Sequence, residues 1–257
     1  MDLNYTLKLI RSIARNEGPV VLRKLFHIHF RSNSTEYSDF CLLCGSESNI
    51  TREHVLPRWV FENNPNHFFV TDVNQLPHKY IEATVPMCRF CNNEILNKIE
   101  TYVQKTISKV DLEKVYYSPE EWENIIRWLE IIDFKFQLLD VLKKFKAHKT
   151  KGFFPGFSEI SIAEMRYIFS IRKIQSNLRS SLKRISQKNK SNRAASLIVG
   201  KTKIKTFNYF HTSGDFIHLE IPKYNKAFFY FFERSYKSDV GAKRAATRII
   251  KSVYSSD

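Results

Sequence analysis

Two cysteine pairs with the same spacing constrain this 257-residue chain more than any other feature. Cys41 and Cys44 form the first C-x2-C pair, Cys88 and Cys91 form the second, and the chain has no other cysteine. Two such pairs are the usual source of four thiolate ligands for a tetrahedral zinc ion. Gly45 follows the first pair and permits the tight turn that points backbone amides at the thiolates. The spacing therefore predicts a small module held together by structural Zn²⁺.

Composition narrows the class of protein. The hydrophobic content of 43% is typical of a globular chain, and no stretch of 18 or more apolar residues predicts a membrane span. Asp2, Lys8 and Arg11 interrupt the N-terminal segment and argue against an export signal. In a chain that is not exported, paired cysteines are expected to bind metal rather than to form disulfides. We therefore expect a cytoplasmic protein that does not bind membranes.

The basic residues are concentrated in one part of the chain. The formal net charge is +15, and the segment 165–214 contains 12 Lys or Arg and no Asp or Glu. A solvated basic face is one interpretation, and contact with nucleic-acid phosphates is the one that we favour. The residues predicted to bind nucleic acid are Arg172, Lys173, Arg179, Lys183, Arg184, Lys188, Lys190, Arg193, Lys201, Lys203 and Lys205.

Hydrophobic periodicity predicts elements on both sides of the cysteine module. Helices are expected over residues 4–17 and from Val20 to about Phe30. Ser118-Pro119-Glu120-Glu121 has the capping-box pattern and opens a long helix that is apolar on most sides. Ser161 and Glu164 repeat the capping signature, and the helix expected after them carries apolar residues from Ile171 to Ile185 on one side. Strands are expected at 197–207, 215–221 and 227–232, and a last helix at about 240–254. The five consecutive aromatic residues 228–232 favour a strand buried on both faces over a surface that stacks on bases.

These patterns divide the chain into three predicted segments. Residues 1–37 form an N-terminal helical segment, 38–105 the zinc-stapled module, and 106–257 a basic α+β domain that grips nucleic acid or docks a partner. The fold class is α+β, with a basic helical C-terminal domain that carries a small antiparallel sheet.

A second set of polar residues accompanies the cysteines. Glu53-His54 follows the first pair, and Asn92-Asn93 comes directly after the second. A histidine with a pKa of about 6.5 can accept a proton from water near neutral pH. Carboxylate and amide oxygens are ligands for hard divalent ions. The sequence thus supplies candidates for a general base and for a second, oxygen-ligated metal.

On these residues the segment 38–105 resembles the HNH (ββα-metal) endonucleases, in the branch whose catalytic motif lies within a four-cysteine zinc site. The motifs are Cys41-Leu42-Leu43-Cys44-Gly45, Glu53-His54-Val55-Leu56-Pro57 and Cys88-Arg89-Phe90-Cys91-Asn92-Asn93. The resemblance implies a ββα-metal module that hydrolyses phosphodiester bonds in DNA. It further implies that His54 is the general base and that Glu53 and Asn92 hold a catalytic Mg²⁺ or Mn²⁺.

Some positions depart from the commoner family pattern. The acidic residue is Glu53 where Asp is more frequent, and Ile95 stands where a lysine usually follows the helix asparagine. Asn74 and Asn93 are both candidates for the middle asparagine, and Glu100 fits a supporting glutamate found in some related sequences. The long step from His54 to Asn92 predicts an inserted loop near residues 63–79.

The resemblance leaves the partners and the setting open. Double-stranded DNA is the preferred substrate in the family, RNA is an alternative, and a homodimer or a protein partner is compatible with one catalytic site per chain. A phage or anti-phage defence role follows by analogy alone. Two other functions compete with the nuclease: a non-catalytic zinc ribbon that binds nucleic acid, and a protein–protein adaptor.

Overall fold

The computed structural model describes residues 2–30, 39–63, 66, 68–70, 77–109, 117–146, 171–188 and 196–254. Its helices and antiparallel sheets confirm the α+β class. The chain divides into two compact units, each made of two separate stretches. Unit 1 comprises residues 1–99 and 134–187, and unit 2 comprises 100–133 and 188–257. The division into three segments at residues 37 and 105 stays a prediction.

Unit 1 begins with the two expected helices, α1 (Leu3–Asn16) and α2 (Gly18–Phe30). α1 buries Ile10 and Ala14, one turn apart, and leaves Lys8 and Arg15 exposed. This one-sided burial agrees with the helical spacing of its apolar residues.

The cysteine module of unit 1 is built on two paired strands and the helix that follows the second of them. Strand β1 (Ile50–His54) leads into a short helix, α3 (Arg58–Phe61), and a small hairpin of β2 (Phe68–Val70) and β3 (Pro77–Lys79). Strand β4 (Thr84–Cys88) then pairs antiparallel with β1. A π-helical segment, Phe90–Leu96, starts two residues after β4 and continues as α4 (Asn97–Lys109). The β2–β3 hairpin lies in the stretch where an insertion was predicted.

Helix α5 (Pro119–Lys146) begins at the predicted capping box. The Ser118 amide donates to Glu121 Oε2 at 2.7 Å, and the Glu121 amide donates to Ser118 Oγ at 3.2 Å, so both partners of the motif are engaged. Helix α6 (Ile171–Ser186) packs against α1 and α2 within unit 1 and buries Leu178, Leu182 and Ile185. None of the described helices is long and apolar enough to cross a membrane.

Unit 2 contains a four-stranded antiparallel sheet and a C-terminal helix. Its strands are β5 (Leu197–Gly200), β6 (Asn208–Thr212), β7 (Phe216–Ile221) and β8 (Lys226–Phe231), in the spatial order β5-β8-β7-β6, and α7 (Asp239–Tyr254) follows them. The strand expected over 197–207 is wrong beyond Gly200, and β6 was not predicted. The prediction beyond Gly200 rested on the alternation of Lys201, Lys203 and Lys205. Alternation indicates which side chains face water, but it does not require the backbone to pair with a neighbouring strand.

The aromatic run in β8 is buried on both faces, as predicted. Phe229 and Phe231 belong to an apolar cluster with Ala246 of α7, while the Tyr230 hydroxyl donates to Glu130 Oε1 of α5 at 3.1 Å. All five aromatic side chains from 228 to 232 are at most 4% exposed. They are therefore core residues and are not available to stack on bases.

A set of buried charges in unit 2 was not predicted. Arg127 and Glu130 of α5 form an ion pair of 2.9 Å, and His211 Nε2 lies 2.7 Å from Asp133 Oδ1. The four side chains are at most 8% exposed. The signal was present in the sequence, because charges on a helix that is apolar on most sides must be buried and therefore paired.

Candidate metal centre and candidate active site

The four cysteines converge into one cluster. Their Sγ atoms all lie within 4.8 Å of one another, and Cys44 Sγ lies 3.7 Å from Cys88 Sγ. Thiolates bound to zinc at about 2.3 Å occupy tetrahedral corners roughly 3.8 Å apart. The spacing of the sulfurs therefore fits a zinc ion, and the cluster can hold such a metal.

Backbone geometry around each pair also suits a thiolate–metal site. Gly45 has φ +80°, in the left-handed region that glycine adopts without strain, and its amide donates to the Cys41 carbonyl at 2.8 Å. The Cys44 amide points at Cys41 Sγ (3.5 Å), and the Cys91 amide points at Cys88 Sγ (3.4 Å). In both pairs the amide of the second cysteine thus points at the sulfur of the first, and in the first pair Gly45 completes the turn as expected.

The thiols influence one another strongly. Hydrogen bonds from the Cys44 and Cys91 thiols lower the pKa of Cys41, while the same contacts raise the pKa of Cys44 and of Cys91. One sulfur can therefore ionise easily, but further negative charge in the cluster is opposed. A divalent cation removes this conflict, because metal ligation requires deprotonated thiols and compensates their charge.

The β1–β4 pairing connects the cysteine cluster to the second set of polar residues. In the register, Ile50 faces Cys88 and His54 faces Thr84, so the second cysteine pair starts where β1 begins. The helix that follows β4 brings Asn92 back to β1, where its Nδ2 donates to Thr51 Oγ1 at 2.9 Å. The Thr51 hydroxyl in turn donates to the Met87 carbonyl at 2.9 Å. Asn92 is thereby fixed against the hairpin through its nitrogen.

Glu53 lies two residues beyond Thr51, on the same face of β1 as the threonine that holds Asn92. Its side chain is 9% exposed, and its Oε1 accepts a hydrogen bond of 2.7 Å from Lys135 Nζ of α5. The Lys135 ammonium also donates to the His54 carbonyl at 2.8 Å. The predicted metal ligand is thus already ion-paired through one oxygen.

His54 is half-buried at the end of β1, directly after Glu53. Its ring makes an edge contact with Phe61, with centroids 5.9 Å apart, and its buried Nδ1 has no hydrogen-bond partner among the described residues. Burial lowers the pKa of His54, Glu53 opposes that effect, and Arg58 and Lys135 add to it. These surroundings favour the neutral imidazole, the form that can accept a proton.

The three supporting candidates, Asn74, Asn93 and Glu100, differ in their exposure and in whether the structure describes them. Asn93 is exposed, Glu100 is half-buried on α4, and Asn74 lies outside the described residues. Asn93 therefore points away from the packed face of the hairpin.

The predicted basic residues also divide. The prediction that Arg184 contacts nucleic acid is wrong, because this residue is 6% exposed and lies on the packed side of α6. Lys190 and Arg193 lie outside the described residues. The others are exposed: Arg172, Lys173, Arg179 and Lys183 in unit 1, and Lys188, Lys201, Lys203 and Lys205 in unit 2.

Sequence reasoning missed Lys135 and Thr51. Lys135 is 82 residues from its partner Glu53, and no local pattern predicts such a pair. Its position on a helix that is apolar on most sides does indicate burial, and a buried lysine requires an acidic partner. Thr51 had no comparable signal.

No protein-family model matches this chain, and no match was found among curated proteins or solved structures.

Proposed function

We propose that the chain is a metal-dependent endonuclease of the HNH type that hydrolyses phosphodiester bonds in DNA. The observation that carries the proposal is the β1–β4 hairpin and following helix, which bring Glu53, His54 and Asn92 onto one scaffold beside four clustered cysteines. A rigid scaffold with a second layer of hydrogen bonds is what a catalytic constellation requires.

The donor set fits a hard divalent ion. Asn92 uses its nitrogen for Thr51, which leaves its amide oxygen for a cation, and the Glu53 oxygen that does not bind Lys135 is the second ligand. Mg²⁺ or Mn²⁺ at these oxygens would neutralise charge on the phosphate and on the leaving oxygen.

In this proposal the other residues act around the reacting phosphate. His54, held neutral by its half-buried position, accepts the proton of the attacking water. Lys135 fixes the Glu53 carboxylate and the His54 backbone, so it is a positioning residue. The four cysteines hold structural zinc and keep the start of β1 against the end of β4.

One observation favours the second candidate, a non-catalytic zinc module that binds nucleic acid. Glu53 is nearly buried and ion-paired with Lys135, which is also how a purely structural carboxylate would lie. Under this alternative, the Glu53–Lys135 ion pair stabilises the β1–β4 pairing, and Asn92 only donates its hydrogen bond to Thr51. A role in phage or anti-phage defence stays a prediction under either function.

The test is cleavage of supercoiled plasmid by wild type and by His54→Ala, with Mg²⁺, with Mn²⁺ or with EDTA, beside a zinc assay on each protein. We expect metal-dependent nicking that falls by about 10²–10⁴-fold in His54→Ala while zinc is retained, because a general base is removed. His27→Ala, an exposed histidine of α2, is the matched control and should cut like wild type. Equal cutting by wild type and His54→Ala would show that His54 is not the general base, and no cutting by zinc-loaded wild type would favour the binding module.

A further inference from the structure

A basic groove in unit 1 lies among α1, α2 and α6, apart from the cysteine module. It encloses about 540 Å³ and is lined by Ala14 and Arg15 of α1, by Pro19, Leu22, Arg23 and Phe26 of α2, and by Arg179, Leu182, Lys183 and Ser186 of α6. Four of these ten residues are cationic and none is acidic. The four cations come from all three helices, so the groove exists only when the helices are packed together.

The four cations are exposed, and the described residues offer them no acidic partner. Within the part of the chain that the structure describes, no Asp or Glu forms an ion pair with Arg15, Arg23, Arg179 or Lys183. Two of them are nevertheless held in position: Arg15 Nη2 donates to the Ser186 carbonyl at 3.0 Å, and the Arg179 guanidinium lies 5.5 Å from the centre of the Phe26 ring. Cations held close together repel one another, and a bound anion would offset this repulsion.

The groove combines an apolar floor with a cationic rim. Its floor residues Ala14, Leu22, Phe26 and Leu182 are at most 6% exposed, whereas the four rim cations are exposed. Arg179 and Lys183 are one helical turn apart, about 6 Å along the axis, so successive cations can meet successive anionic groups. This row of cations suits an extended polyanion.

We propose that the α1–α2–α6 groove binds the phosphate backbone of double-stranded DNA. The choice of DNA rests on the proposed function, whereas the groove and its charge do not. The proposal adds Arg15 and Arg23, which lie outside the acid-free segment, to Arg179 and Lys183. Phosphate contacts of this kind give affinity and orientation without reading the base sequence.

The experiment measures the affinity of the full chain for a fluorescent DNA duplex by anisotropy, over a range of NaCl concentrations and without Mg²⁺ or Mn²⁺. Binding is thus read independently of cleavage, and loss of nuclease activity alone leaves this test intact. Arg23→Ala/Arg179→Ala is compared with Lys243→Ala/Arg244→Ala, which removes two exposed cations from α7 of unit 2. Each phosphate contact contributes about 0.9 to the slope of log affinity against log salt concentration.

We expect the groove variant to bind at least about 10-fold more weakly and to lose about 2 from the salt slope, while the control keeps the wild-type slope. Arg23→Lys/Arg179→Lys retains the charges and should retain the slope, which separates a lost contact from a misfolded groove. Equal losses in the groove and control variants, or no DNA binding by wild type, would overturn the proposal. So would unchanged duplex binding with selective loss of a labelled acidic peptide or nucleotide triphosphate, since either result would assign the groove to that ligand.

Discussion

Lys135 connects the second stretch of unit 1 to strand β1, because its ammonium donates both to the Glu53 carboxylate and to the His54 carbonyl. Its side chain is 1% exposed. A lysine in such a position is stable only as part of a hydrogen-bonded pair, since an isolated buried charge costs several kcal/mol. At the scale of single residues, this contact holds the candidate active site in register with the body of the unit.

Lys135→Met is therefore expected to destabilise the protein by about 3–5 kcal/mol, because it leaves the Glu53 charge buried without a partner. Urea denaturation measures the change. The double variant Glu53→Gln/Lys135→Met should recover much of the loss, since no buried charge remains. Lys105→Met replaces an exposed lysine of α4 and should change stability by no more than about 0.5 kcal/mol. A Lys135→Met variant as stable as this control would show that the pair contributes nothing to folding.

What the sequence could predict differs from residue to residue. The four cysteines were predictable because ligand spacing is local, and their sulfurs do converge. Asn92 was predicted from the residue that precedes it, yet its anchor, Thr51, was not. Lys135 was missed because ion pairs between distant segments leave no periodic trace. Metal ligands that are close in sequence can thus be predicted from their spacing, whereas ion pairs between distant segments cannot.

At the scale of elements, α2 and α6 approach closely at Gly18. A β-carbon added at Gly18 would lie 2.7 Å from Cδ1 and 2.8 Å from Cδ2 of Leu182, closer than carbon atoms can pack. Leu182 is 6% exposed and has little room to move. The glycine therefore sets the distance between these two helices, and with it the geometry of the basic groove.

Gly18→Ala should destabilise the protein by about 1–3 kcal/mol through overpacking. Gly241→Ala is the matched control, because the nearest atom to its added carbon is 3.5 Å away, and alanine is favoured over glycine in a helix by about 1 kcal/mol. Thermal unfolding of both variants measures the contrast. A destabilised Gly241→Ala beside an unchanged Gly18→Ala would contradict the packing seen at Leu182.

Elements with strong periodicity or an end signal were predicted well. Apolar residues at helical spacing predict α1 and α6, and the capping box predicts the start of α5. Strand β1 carries little alternation, because Glu53 is the one buried residue among its five. Strand β6 was missed because its five residues do not alternate between buried and exposed positions, so its pattern is weak.

At the scale of the whole molecule, zinc is expected to contribute directly to folding. The cysteine cluster closes a loop of about fifty residues, and metal binding to such a site is coupled to folding. The thiols of the cluster cannot all ionise without a cation, so the apo form retains protons and loses the tetrahedral arrangement.

Removal of zinc by a strong chelator should lower the thermal midpoint and expose the amides of Cys44 and Cys91, which point at sulfurs when the cluster is intact. Hydrogen exchange read by mass spectrometry measures this locally, and acid should have the same effect because protons compete with the metal for thiolates. The strands β7 and β8 of unit 2 serve as the internal control and should keep their protection. Unchanged exchange at Cys44 and Cys91 after verified zinc loss would show that the fold does not depend on the metal.

The interleaving of the two units along the chain has a consequence for synthesis on the ribosome. Unit 1 needs residues 134–187 in addition to 1–99, so its first stretch waits for the next 88 residues, about 4–18 s at ordinary elongation rates. The cysteine module is local and can capture its ion during that interval. The apolar stripe of α1 packs on α6 as well as on α2 and the π-helical segment, so it cannot be fully covered until α6 emerges, and a chaperone would protect the part that stays exposed.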